Sequence, residues 1–426
     1  MPSQQSVPSE PTAPTVSINL GQQFQFGPTV LQPDVLIVTG ADGSKTTKEE
    51  AVTSLDALDK FKGTFAGFGF NTIFRPNSTN TKTPPELKFK PTDGETDNLL
   101  QLNLTAETMV FAKPLGNVPN RGLFSQPDIN LNGVPYTQTI VDAMDPTLKG
   151  DKIPVIHFEP GLWMRVPAVD TSPKLPASYA RMASIPHGTT IHAQCFDEAK
   201  TSSGPPKFEK ASIVPIIMES FGTKDQKETP RPFLNQKAAK DDSRRLPQQL
   251  GPFIKAGTIT QEILDNPNVI LEQANRGKDI VDNTTFTVVT EAPTNNFGGG
   301  TSNIGFLVGV NNSTLVSGAS RSGNANAAKV KAFYWISTVR AEIQIQPCKA
   351  VDKKIVSQVA KDPRDAVPSV LIDEDVPSAM TLKFKYNQIQ YSQDVTLDFF
   401  GVRWPHITVA TLAPTGLLFS DLKKGN

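Results

Sequence analysis

The chain carries four histidines, His157, His187, His192 and His406, and two cysteines, Cys195 and Cys348. An imidazole titrates close to neutral pH, so it can move protons, and in its neutral form it ligates metals. His406 stands in the run Trp404-Pro405-His406-Ile407-Thr408-Val409-Ala410-Thr411-Leu412. Pro405 lacks a ladder donor and suits the first residue of a strand. Ile407, Thr408, Val409 and Thr411 are β-branched and favour extended backbone. A period of two then places His406, Thr408, Ala410 and Leu412 on one face, where small side chains leave room for a flat ligand above the imidazole. His157 lies two residues before Glu159, so a strand would point both to one side. That pair is either an imidazole oriented by a carboxylate or a hydrogen-bonded surface pair.

Other chemistries find less support. Neither a GxSxG elbow nor an HExxH helix occurs, and Ser, His and Asp are too scattered to propose a triad. A zinc site built from His157, His187, His192 and a carboxylate would lack any known ligand rhythm. The cysteines form no CxxC pair, which argues against thiolate ligation. Gly298-Gly299-Gly300 has neither a following Lys-Ser/Thr nor GxGxxG spacing, and reads as a hairpin loop.

The elements that must position these side chains read as strands. Candidates are Gly63 to Pro76, Leu99 to Phe111, Val134 to Val141, Ile153 to Pro167 with a Pro160-Gly161 bend, Ser178 to Ala183 and Thr189 to Cys195. The last two are joined by the tight turn Ile185-Pro186-His187-Gly188. Phe208 to Phe221, Thr284 to Glu291, Asn303 to Val310 and Lys329 to Gln346 follow; in the last, Phe333, Trp335, Ser337, Val339, Ala341, Ile343 and Ile345 share a face. Met380 to Phe400 reads as two strands, and the His406 strand closes the set. A helix is expected over Lys48 to Lys62, capped by Thr46 or Thr47, and another after Asn266-Pro267.

Together these describe an all-β chain: a single antiparallel β-barrel of about ten strands with a helical insertion and long loops. The 36 prolines and 29 glycines suit many turns. The expected divisions are a disordered 1–15, an N-terminal extension 16–60, the first part of the barrel 61–221, a charged and helical insertion or lid 222–281, the second part 282–415 and a tail 416–426.

Lys+Arg and Asp+Glu are both 42, so no global field attracts nucleic acid or an anionic membrane. No run of about 18 apolar residues is present to span a bilayer. Met1 to Pro14 has no apolar core of a secretory leader, and two thiols fit a reducing, cytoplasmic setting.

Three segments occur in the order found in the nitrobindin family of haem-binding barrels. Gly63-Thr64-Phe65-Ala66-Gly67-Phe68-Gly69 resembles its opening Gly-Thr-Trp-x-Gly-x-Gly strand. Ile156-His157-Phe158-Glu159-Pro160-Gly161-Leu162-Trp163-Met164-Arg165 resembles its central His-x-Glu-x-Gly segment, and Trp404 to Leu412 is similar to its closing Pro-His strand. The chain departs from the family in length, in Phe65 where a Trp is usual, in Trp404 before the Pro, and in residues 222–281, which have no counterpart.

The resemblance implies haem b with His406 as the iron ligand. Trp404, Thr408 and Ala410 would lie beside it, and Arg165 would hold a propionate. His157 and His187 would be the distal catalytic candidates, with NO, peroxynitrite or peroxide at the open iron position. A peroxidase or a peroxynitrite isomerase-like enzyme is the activity implied. A homodimer is admissible. The alternatives are a non-catalytic carrier of haem or another large hydrophobic ligand, and an assembly protein whose loops make the contacts.

Overall fold

The computed structural model describes residues 35–39, 45–49, 52–77, 98–123, 127–170, 174, 176–219, 227–291, 299–303, 326–399 and 402–424. Residues Met1–Val52 and Thr53–Asn426 form separate units. In the first, Val35–Thr39 and Lys45–Glu49 pair as an antiparallel hairpin. The helix expected from Lys48 to Lys62 is replaced by that second strand and by a 3-10 turn, Asp56–Lys60. Thr46 and Thr47 pair with Val38 and Ile37 across the hairpin, in keeping with the preference of threonine for extended backbone. The disordered segment expected over 1–15 lies outside the described residues.

The second unit contains a closed antiparallel barrel of ten strands. In chain order they are β1 (Gly63–Pro76), β2 (Asn98–Phe111), β3 (Ile129–Asp142), β4 (Val155–Val166), β5 (Ser178–Ser184), β6 (Thr189–Gln194), β7 (Asp279–Val289), β8 (Asn326–Ile345), β9 (Met380–Phe399) and β10 (Val402–Thr415). Each pairs with the next in sequence, and β10 pairs back onto β1, so the barrel is an up-and-down meander. The seam is β6 against β7, joined directly at Gln194↔Val289. It is reinforced by Lys200–Ser203 along β7 and by Gly300–Asn303 along β6. Closure leaves few unpaired ladder groups, and that makes the architecture stable without a covering partner.

Several elements differ from expectation. Met380 to Phe399 is one unbroken strand, because β8 pairs with it along its whole length. β4 runs through Pro160-Gly161 without a bend. Gly161 is needed there for another reason: a Cβ at this position would sit 2.5 Å from the Tyr136 ring. Gly161→Ala is expected to cost about 1–3 kcal/mol of stability through overpacking. An unchanged urea midpoint would show that the ring has room to move. Of the strand expected from Phe208 to Phe221, Ile216–Glu219 is a strand, residues 208–215 are not, and residues 220 and 221 lie outside the described residues. Of the strand expected from Asn303 to Val310, Asn303 ends the short Gly300–Asn303 strand and the rest lies outside the described residues. Residues 416–426 are not a bare tail: Leu417–Leu418 pairs with Ser369–Leu371, and the helix α4 (Phe419–Lys424) buries Phe419.

Among the described residues of the segment expected as a lid, 227–281, none lines the lumen cavity described below. They hold three short helices, α1 (Gly251–Lys255), α2 (Gln261–Asp265) and α3 (Val269–Ala274), packed on the outer wall. The cap of α3 is Asn268, not Asn266, whose side chain accepts the main-chain N–H of Ala211. Arg245 anchors the segment by donating to the carbonyls of Asn235, Lys237, Lys240, Pro247 and Gln248. Its strand, Arg245–Leu246, runs parallel to β2.

That covering explains the character of the wall. On β2, Leu100 and Leu102 are fully buried, whereas the alternate positions Gln101, Asn103 and Glu107 face the lumen. On β8, Trp335 packs outside against Phe208 and Phe333, while Tyr334 points inward onto Trp163. The barrel is therefore partly inverted, with apolar side chains outside beneath the chain's own loops and polar ones inside.

Candidate functional site

The lumen is filled in three layers. At one end an aromatic plug seals it: Phe61 stacks on Phe111 at 4.7 Å, and Trp163 meets Tyr334 at 4.9 Å and Phe286 at 5.7 Å. Above it lies a buried polar layer. Arg181 on β5 donates to Glu159 on β4 at 2.6 Å, to the Tyr136 hydroxyl at 2.9 Å and across the lumen to Gln393 on β9 at 2.5 Å. Tyr136 also donates to Glu159. Gln138 on β3 donates to Glu107 and to the Tyr391 hydroxyl, and Tyr391 donates to Glu107 at 2.6 Å. These bonds span the barrel from β2 and β3 to β9.

The electrostatics of this layer are divided. Burial alone would raise the Glu159 carboxyl, but the Arg181 charge and the hydrogen bonds from His157 and Tyr136 hold it down to about 2. Burial raises Glu107 to about 7, despite its hydrogen bonds from Tyr391, Gln138 and Thr105, because no cation touches it.

The third layer is a cavity of about 410 Å³ at the other end of the barrel. His157, His187 and His406 all line it. Each is placed by a different local device. His406 faces inward from β10. His157 reaches in from β4 beside a bulge, where Ile140 and Val141 pair with His157 and Val155 and leave Ile156 as the extra residue. The bulge lets both Ile156 and His157 line the cavity, although they are neighbours in sequence. His187 sits in the β5–β6 turn, closed by Gly188 N–H donating to Ile185 O at 2.9 Å.

The rings of His157 and His187 meet edge to face at 5.1 Å. His157 Nε2 lies 3.3 Å from Glu159 Oε2, so the carboxylate orients the imidazole. Burial lowers His187, with His157 adding to the effect. Burial, then the neighbouring His157 and His187, lowers His406 to about 4, so His406 is neutral at pH 7. The Asn71 amide is oriented by donating through Nδ2 to Asn103 at 3.4 Å. Its oxygen accepts from Thr408 at 3.0 Å and from His406 Nε2 at 2.8 Å. The His406 proton therefore sits on Nε2.

The remaining expected positions lie elsewhere. Arg165 is at the plugged end, 3.8 Å from Asp56 and over the Tyr179 ring at 5.2 Å. It faces the same way as His157, but eight residues of strand separate them by about 26 Å. Trp404 is fully buried among Phe74, Phe233 and Phe399 and donates to Phe399 O. Ala410 is buried deeper along β10 than Thr408 and does not line the cavity. His192 is exposed on β6. Among the described residues no group of three or more His, Cys, Asp or Glu is placed to hold a metal ion.

The residues present do not fit a haem. The ring nitrogen of His406 farther from its main chain is committed to Asn71. An amide and a hydroxyl, Asn71 and Thr408, already form a closed hydrogen-bonded set with it, and Arg165 is too far away to reach a propionate. The cavity volume of about 410 Å³ lies in the range of small-molecule sites.

Sequence reasoning missed Asn71, Arg75, Gln101, Asn103, Gln138, Tyr391 and Gln393, which also line the cavity, and the layer of Glu107, Arg181 and Tyr136 beneath it. A signal was present in amides and carboxyls recurring at alternate positions of apolar strands, but it reads equally as a solvated face. A hollow of about 530 Å³ on the outer wall, between Arg276 and Lys385, is larger but holds no imidazole. No helix among the described residues is long and apolar enough to cross a membrane. No protein family, curated protein or solved structure matches the chain.

Proposed function

We propose that this chain is a ligand-binding barrel that holds a compact organic molecule in its lumen without a metal. The observation that carries this reading is the convergence of His157, His187 and His406, up to 249 positions apart by their residue numbers (406 − 157), on one cavity above a fully buried polar floor. A barrel of this size can fill its interior with side chains. Here the interior stops short, and imidazoles and amides face the space that is left. Neutral imidazoles and amides offer both donors and acceptors, which fix the orientation of a ligand and set its specificity. Waters displaced on binding must have their hydrogen bonds replaced, so a polar or amphipathic ligand is favoured over a purely apolar one.

The test is a fragment screen by ligand-observed NMR on the full chain and on Thr408→Phe, which places a ring in the cavity. Fragments of about fifteen non-hydrogen atoms or fewer are expected to bind the wild type and to be lost in the variant, whose circular dichroism stays native. Added haemin is expected to give the same visible spectrum with wild type and His406→Ala. Fragments that bind Thr408→Phe as well as wild type would overturn the reading, as would a His406-dependent Soret band.

A further inference from the structure

The cavity has a sign. Its lining includes one permanently charged side chain, Arg75, three imidazoles and no carboxylate. Elsewhere in the lumen the barrel neutralises its arginine: Arg181 is buried against Glu159 at 2.6 Å. Arg75 is treated differently. It stands near the end of β1, half-buried, and its Nη1 donates to Gln101 Oε1 at 2.7 Å. Among the described residues it makes no ion pair. Burial lowers its guanidinium from the ordinary value, and no carboxylate offsets that cost.

Gln101, the hydrogen-bond partner of Arg75 among the described residues, is itself held in place. Gln101 Nε2 donates to Asn103 Oδ1 at 3.2 Å, and Asn103 Nδ2 donates to Asp142 Oδ2 at 3.0 Å. The chain Asp142–Asn103–Gln101 turns the Gln101 oxygen toward Arg75 and fixes the guanidinium without neutralising it. A planar fork with unused N–H donors, held still in a half-desolvated site, matches an oxyanion that accepts two parallel hydrogen bonds. Ile73, Ile140, Ile185, Val395 and Leu397 supply an apolar wall for the rest of such a molecule.

We infer that the ligand of the cavity is an organic anion, whose carboxylate or phosphate head lies on Arg75 and whose short apolar body lies on the isoleucine–leucine wall. The inference rests on the lumen being a ligand site and adds the charge and class of the ligand. The neutral His406 and the paired amides offer hydrogen bonds to polar groups along its length. A cationic ligand is disfavoured, since no carboxylate lines the space to receive it.

The test is isothermal titration of the full chain with octanoate, octyl phosphate, octanol and octylamine. Wild type, Arg75→Gln, Arg75→Lys and Thr408→Phe are compared. The anions are expected to bind at least about tenfold more tightly than octanol, the advantage of a charge-assisted hydrogen bond, and octylamine least of all. Arg75→Gln should remove that advantage and leave octanol unchanged. Arg75→Lys should keep part of it, and Thr408→Phe should abolish all binding. The ranking of octanoate against octyl phosphate identifies the head group. Equal affinity of octanol and the anions for wild type, or anion binding by Arg75→Gln at wild-type strength, overturns the inference. If octanol still binds and is lost in Thr408→Phe, the lumen site stands and only its sign is wrong. If fragments bind in the lumen but none of these four probes does, the inference falls alone. If neither fragments nor probes bind, both readings fall.

Discussion

Glu159→Gln is expected to cost the fold about 3–5 kcal/mol, the range for removing one partner of a buried ion pair. Arg181 is 2% exposed and Glu159 is fully buried. With the carboxylate gone, the guanidinium keeps Tyr136 and Gln393 as hydrogen-bond partners but has no counter-charge in contact with it. Arg181→Met should cost a similar amount, because the Glu159 carboxylate is then buried with only Tyr136 and His157. The double variant Glu159→Gln/Arg181→Met should lose much less than the sum, since neither uncompensated charge remains. Urea unfolding followed by tryptophan fluorescence measures all three. Trp163 lies 6.0 Å from the Arg181 guanidinium carbon and reports on the same layer. Additive losses would show that the two side chains are not coupled and that the polar floor is not a unit. The pair also has a pH signature. The Glu159 carboxyl is lowered to about 2, so its contribution is present above about 4.5 and is lost only as pH falls through about 2.

Glu107 makes the opposite contribution. Its folded carboxyl is raised from 4.5 to about 7, so folding favours the protonated form. The stability it contributes is full below about 4.5 and is lost as pH rises through about 7, a change of about 3 kcal/mol for a shift of that size. His406 works the other way in an overlapping window. It is lowered from 6.5 to about 4, so its contribution is full above 6.5 and is lost as pH falls through about 4. The two slopes oppose each other between pH 4.5 and 6.5. Glu107→Gln keeps an acceptor for Tyr391 and removes the titration. Relative to wild type the variant should gain about 3 kcal/mol between pH 4.5 and pH 8, and the His406 contribution to its stability should climb from pH 4 to 6.5 as the unfolded chain gives up the proton that the folded imidazole has already lost. Denaturant midpoints at pH 4.5, 6 and 8 decide the matter. A wild-type-to-variant difference that stays constant with pH would mean that Glu107 titrates as an ordinary carboxyl.

Local features of the lumen were readable where a short-range rule governed them. The branched residues after Pro405 place His406 on an inward-facing strand position, although the strand begins at Val402 and Pro405 is fourth in it rather than first, because the segment before it pairs with β9 as well. Ile185-Pro186-His187-Gly188 is the tight turn its composition requires. His157 and Glu159 do share a face, and their rival descriptions are settled in favour of an imidazole oriented by a buried carboxylate. Arg165, four periods of the same alternation beyond His157, faces the same way. Its distance from the histidines depended on strand length, which pushes it to the plugged end. Helices were read less well: the one expected after Thr46 gave way to a strand, because cross-strand partners outweigh a cap signal.

Alternation in the chain by itself determined that strands form, roughly where they start and stop, that about ten of them close one antiparallel barrel, and which residues share a side. It could not determine which side is the inside. β2 and β8 carry apolar residues on outer faces because described residues of 204–219, 227–274 and 347–378 cover them, and a covered wall looks like a core in sequence. Only the tertiary structure decided that Gln101, Asn103 and Glu107 face inward, that a bulge lets Ile156 line the cavity beside His157, and that Arg181 meets Glu159 and Gln393 across the barrel. The physical reason is that a period of two fixes relative direction along one strand, whereas inside and outside are set by closure and by what packs on the wall, through contacts between residues hundreds of positions apart.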